Sequence, residues 1–209
     1  MGIRRPAETR IRQMCRGRRL AVPAGLAVLA ALSAAAAAAP PPAFRVTSSA
    51  FTDGAMLTAA NANNTNACGG QNISPALNWS GAPAPTQSFA IVMFDPDGFK
   101  GLGVVHWVAY NIPASKTSLA TGEASAPSPL VTGGTSTAGT HVYRGPCPPV
   151  GDNPHHYLFT VYALDLPAGT FAPGLTRDQL LEAIRTHVLA ATSIVGRYAR
   201  KAPSARERR

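Results

Sequence analysis

Three groups of side chains in this chain have the types and spacing to do chemistry. Asp95-Pro96-Asp97 sets two carboxylates around a proline, His106-Trp107 sets an imidazole inside an apolar run, and His155-His156-Tyr157 follows a segment dense in Pro and Gly. Imidazoles and a phenol can donate hydrogen bonds to a phosphate or carboxylate, and nearby carboxylates can orient and charge the imidazoles. Taken singly, each group has a plainer reading: an Asx turn stiffened by proline, a core histidine with one hydrogen bond, and a loop shaped by its Pro and Gly. Covalent hydrolysis would need a nucleophile, yet the chain has no Gly-x-Ser-x-Gly elbow and no serine within these groups. A metal centre on His106, His155, His156 and the aspartates lacks a ligand spacing such as His-Glu-x-x-His. The expectation is a binding protein and not an enzyme, with no catalytic residue, metal or cofactor.

A scaffold must position these groups, and the ends of buried strands are where such groups usually stand. Ser88–Phe94 is a continuous apolar run closed by Asp95-Pro96-Asp97. Val104–Ile112 and Tyr157–Leu164 repeat the pattern with β-branched and aromatic residues, which predicts three buried strands. Phe44–Leu57, with a turn at Thr52-Asp53-Gly54, predicts two short strands in a hairpin-like start. Residues 58–76 predict a long loop, and residues 117–140 a surface excursion. Thr176-Arg-Asp-Gln179 is a capping box. Leu180, Leu181, Ile184, His187, Val188 and Ala191 then recur at helical spacing, which predicts a final helix with His187 packed on its buried stripe. Strands first and helix last predict a mostly β fold, an antiparallel β-sandwich with a C-terminal helix.

The ends of the chain differ from its middle. Residues 1–39 carry seven Arg against Glu8, and the uncharged stretch from Leu20 ends in six alanines. This predicts a signal peptide and export to the periplasm or beyond; an uncleaved membrane anchor is the alternative that the apolar length permits. A domain over residues 40–198 and a basic disordered tail over 199–209 complete the expected organisation. The net charge of +9 divides into +6 over residues 1–39, −2 over 40–196 and +5 over 197–209. The body is slightly acidic, so the basic overall balance implies no nucleic-acid groove. The tail reads as a solvated end, with weak membrane association as a lesser use. Leader cleavage leaves Cys68 and Cys147, an even number for an oxidising compartment, and a single disulfide is the natural reading.

Five motifs in order carry a further inference: Cys68-Gly-Gly-Gln-Asn-Ile-Ser-Pro-Ala-Leu-Asn-Trp79, Asp95-Pro-Asp97, His106-Trp-Val-Ala-Tyr-Asn-Ile-Pro113, Tyr143-Arg-Gly-Pro-Cys-Pro-Pro149, and His155-His-Tyr157 leading into Phe159-Thr-Val-Tyr-Ala-Leu-Asp165. Together they resemble the phosphatidylethanolamine-binding protein family, and more closely its bacterial branch of Raf-kinase-inhibitor-like proteins. The resemblance implies two antiparallel sheets and a small anion cavity. By motif position that cavity is formed here by Asp95, Asp97, His106, Gly145, Pro146, Cys147, Pro149, His155 and Tyr157. It also implies a small anionic or phosphorylated ligand such as phosphate or a phospholipid head group, in a carrier, sensor or modulator of another protein. Inhibition of a kinase or protease, which the wider family performs, is the alternative; an exported protein does not meet the cytosolic kinases of its own cell. If the loops holding Cys68 and Cys147 surround one cavity mouth, as the resemblance implies, their sulfurs can meet. The competing reading is two free thiols acting as small apolar fillers. The chain departs from the family at Gly98-Phe99, where Ala-Pro is usual, and at residues 133–141, so His141 stands outside the expected site.

Overall fold

The computed structural model describes residues 43–65 and 68–201. The expected leader and residues 202–209 of the basic tail lie outside the described residues. Among the described residues eight strands are formed: β1 Arg45–Thr47, β2 Leu77–Ser80, β3 Ser88–Asp95, β4 Val104–Pro113, β5 Ser118–Leu119, β6 Thr132–Gly133, β7 His155–Leu164 and β8 Val188–Tyr198. They make two antiparallel sheets, β1-β2-β5 and β6-β4-β3-β7-β8.

β3 reads as an unbroken apolar run because both of its faces are covered. Phe89, Ile91 and Met93 pack with Val46, Leu77 and Trp79 of the small sheet, while Ala90 and Val92 pack with Leu180 and Ile184 of the helix Arg177–Ile184. The molecule therefore has three layers: small sheet, large sheet and helix. Each fully buried side chain of this size contributes about 1.5–3 kcal/mol relative to an exposed one. The helix starts at the expected capping box, with the Thr176 hydroxyl accepting from the Gln179 N–H and the Gln179 side chain accepting from the Thr176 N–H.

Three expectations fail for physical reasons. The helix stops at Ile184, and Val188–Tyr198, its part to Ala191 expected to continue the helix, is the edge strand β8 along the whole of β7. The spacing of 184, 188 and 191 suits a helix, but the stretch Thr192–Val195 is rich in β-branched residues and meets an unpaired edge. His187 consequently packs on no stripe; its Nδ1 bonds the Asp165 carboxylate at 2.8 Å. The Phe44–Leu57 hairpin is also absent: β1 pairs with β2, while Ala55–Leu57 crosses to the large sheet and lies parallel to β8 beside Arg197. Finally, the basic end is ordered further than expected, since Arg200 bridges Val150 and its Nε donates to the Pro148 carbonyl at 2.5 Å. Among the described residues no helix is long and apolar enough to cross a membrane.

Candidate functional site

β4, β3 and β7 are neighbours in the large sheet and antiparallel, so the end of β3 meets the starts of β4 and β7. Asp95, His106 and His155 with Tyr157 thus collect at one sheet end. The β3–β4 register steps from Met93 opposite Trp107 to Phe94 opposite Val105, which leaves His106 as an extra residue. A bulge of this kind re-aims a side chain. Along β7 the alternation of a strand buries His155 and Tyr157 on one face and exposes His156 on the other.

Asp95 is the hub, only 3% exposed. Its Oδ1 accepts the N–H groups of Asp97 at 2.9 Å and Gly98 at 3.0 Å. Its Oδ2 accepts from His155 Nδ1 at 2.9 Å and lies 3.8 Å from His106 Nε2. His106 Nδ1 donates in turn to the Arg144 carbonyl at 2.9 Å. A carboxylate and a carbonyl can only accept here, so both imidazoles carry a proton on Nδ1, and each Nε2 accepts when the ring is neutral and donates when it is charged. Burial pushes the Asp95 carboxyl upward, but the hydrogen bonds and charges of His106 and His155 outweigh it and hold the group below the ordinary carboxylate range. Tyr157 is fully buried, with His106 edge-on at 5.1 Å and His155 stacked at 6.5 Å between centroids. Burial, and next the charge of Asp95, push its phenol pKa upward, so it stays a donor. Its hydroxyl lies near the Asp95 carboxylate but makes no hydrogen bond of ordinary geometry among the described residues, which is unusual for a buried polar atom.

The opposite wall is the segment Tyr143–Pro149, fastened to the long loop before β2. Asn72 donates to the Tyr143 carbonyl at 3.1 Å and accepts the Gly145 N–H at 2.8 Å; the Tyr143 hydroxyl donates to the Asn61 carbonyl at 2.9 Å. Cys68 and Cys147 form a disulfide with Cα atoms 5.4 Å apart. Gly145 is required because a Cβ there would strike the Asn61 carbonyl. Between this wall and the strand ends lies a cleft of about 860 Å³.

The sequence profile of the family described as phosphatidylethanolamine-binding protein matches residues 47–199. The chain belongs to that family. Within the phosphatidylethanolamine-binding protein family it is similar to a UPF0098 protein of Methanothermobacter thermautotrophicus, 40% identical over 136 residues that cover 64% of this chain and 87% of the relative. It is likewise similar to LppC of Mycobacterium tuberculosis, named as a lipoprotein, 36% identical with 73% and 71% covered. The crystal structure of Escherichia coli YbcL, described as a new member of the mammalian phosphatidylethanolamine-binding protein family, aligns with a TM-score of 0.68 at 34% identity, covering 75% of this chain and 98% of that one.

Of the residues that the family resemblance selects, Asp95, Asp97, His106, Gly145, Cys147, Pro149, His155 and Tyr157 all line the cleft. Pro146 does not; it is buried behind the wall, its carbonyl accepting the Asn63 N–H at 2.9 Å. Asp97 stands at the rim but orients neither cleft imidazole: its Oδ2 takes the backbone N–H and Nδ1 of exposed His156, at 2.7 and 2.9 Å. His141 lines a separate cavity of about 360 Å³. Sequence reasoning missed Arg144, whose backbone carbonyl fixes His106; Asp152, with Oδ2 3.7 Å from His155 Nε2; and the apolar rim residues Phe99 and Leu102. Arg144 lies inside the quoted Tyr143–Pro149 motif and Asp152 between that motif and His155, whereas a role for a backbone carbonyl leaves no trace in residue type.

Proposed function

We propose that the cleft binds a small phosphate-bearing anion, either free phosphate or a phospholipid head group, and that the protein works as a carrier, sensor or modulator without covalent catalysis. The observation that carries this is the pair of imidazoles held by buried Asp95 beside the orphan hydroxyl of Tyr157. The hydroxyl is a donor held ready for an acceptor, and the two Nε2 atoms adapt to the protonation of the anion. Cys147 is committed to a disulfide, and among the described residues no serine or threonine lines the cleft, which supports a binding role over hydrolysis. The arginine-rich, alanine-rich leader and the lipoprotein name of the mycobacterial relative support a place in the cell envelope.

Calorimetric titration with phosphate and with phosphoethanolamine tests the reading. Saturable binding of either, weakened at least about tenfold in His155→Ala by loss of a charge-assisted contact, is the expected result. Absence of binding to both, or unchanged affinity in the variant, rejects it.

A further inference from the structure

We infer that the turn between β3 and β4 is an interfacial wedge that seats the cleft mouth on an anionic lipid bilayer. Phe99 is 67% exposed and Leu102 87%, the two highest values among the exposed large hydrophobic residues, and both line the cleft. Val150, also exposed, sits between the lining residues Pro149 and Asp152. The other exposed large hydrophobics, Met56, Leu130, Val188 and Leu189, line no part of it. Phe99 and Lys100 have φ of 50° and 57° in succession. Non-glycine residues occupy this left-handed region at a cost, which persists where something other than local preference requires it. Neither Phe99 nor Leu102 belongs to either core, so folding gains nothing from their placement.

The charges around them choose the partner. Lys100 lies between Phe99 and Leu102 in the chain and lines the cleft with Arg144; Arg200 is bridged to Val150, and Lys201 follows, while the carboxylates of the rim, Asp97 and Asp152, face His156 at 2.9 Å and His155 at 3.7 Å. A soluble phosphate ester would use the polar floor and leave Phe99 and Leu102 in water. A phospholipid within a bilayer engages both parts, head group inward and apolar side chains among its neighbours, while the cations meet anionic lipid. A protein partner would call for a wider packed patch than one protruding turn interrupted by lysine. The inference deepens the head-group reading and rests on it for orientation.

The test uses the full chain with mixed phosphatidylcholine and phosphatidylglycerol vesicles, so that any contribution of the leader is common to all variants. Phe99→Trp should show a blue shift on vesicle addition and quenching by brominated lipid, above the background of buried Trp79 and Trp107. The double variant Phe99→Ser with Leu102→Ser should partition at least about tenfold less, from the lost apolar burial, while keeping the melting temperature of the parent, since neither residue belongs to a core. Added salt should weaken partition of the parent chain. If the tryptophan at 99 stays solvent-exposed on vesicle-bound protein, or if the double variant keeps its fold and partitions like the parent, the wedge is refuted. His155→Ala separates the two readings: it should lose soluble ligand yet retain the signal at position 99, whereas a parent that inserts but binds no soluble ligand overturns only the head-group reading.

Discussion

Replacing Asp95 by Asn removes one charge and almost no volume, so its effects isolate electrostatics. The amide oxygen can still accept the N–H groups of Asp97 and Gly98, as Oδ1 does. The amide nitrogen, however, now faces Nδ1 of His155, a donor against a donor, and the imidazole must shift its proton to Nε2. A buried charge-assisted bond is thereby exchanged for a neutral one, a loss of about 1–2 kcal/mol. With a urea slope of roughly 2 kcal/mol per molar for a domain of this size, the unfolding midpoint should fall by about 0.5–1 M. The pH dependence follows from the direction of the shift. The folded Asp95 carboxyl lies below its ordinary value, so its contribution is complete above the unfolded pKa, about 3.9, and is lost as pH falls through the lower folded one. The stability gap between parent and Asp95→Asn should therefore be full near neutrality and close in strong acid. Urea melts over that pH span give the answer. An equal midpoint near neutrality, or a gap that widens in acid, would refute the assignment of Asp95 as a charged hub.

Other substitutions probe the walls of the site. Asp152→Asn should strengthen phosphate binding a few-fold by calorimetry, because it removes a half-exposed carboxylate 3.7 Å from His155 Nε2 that competes with the ligand, and screening keeps the effect modest. Replacing Cys68 and Cys147 together by Ser opens a closure of 79 residues and should lower unfolding stability by roughly 4 kcal/mol on chain entropy, as read by urea melts with and without reductant on the parent. Gly145→Ala should cost about 1–3 kcal/mol through overpacking against the Asn61 carbonyl and weaken ligand binding with it, both visible in a thermal melt and a titration.

Much of this was legible in residue types. The runs at Ser88–Phe94, Val104–Ile112 and Tyr157–Leu164 are the three central strands, and Thr176-x-x-Gln179 opens the helix. What escaped was set by non-local pairing. Val188–Tyr198 carries a spacing that suits helix or strand, and the free edge of β7 decides between them. The Met56 segment looks like a hairpin arm until β8 offers a parallel neighbour. In the site, the acidic and imidazole groups could be named from motifs, but the bulge that turns His106 toward Asp95 is a matter of register. Asn72, quoted only as part of a motif, fixes the Tyr143–Gly145 wall, and the use of Asp97 on His156 is equally a matter of geometry.

The double coverage of β3 fixes how the cleft behaves when the protein breathes. A strand central in its sheet and packed on both faces exchanges its amides only through opening that approaches global unfolding, while a wall made of loops opens at lower cost. Asp95 ends that strand and anchors His155, so the polar half of the cleft should persist in every partly open form, with the Tyr143–Pro149 side as the half that swings. Ligand exchange through the mouth would then proceed by motion of one wall against a fixed anvil, at a rate set by the loops and untouched by the strands.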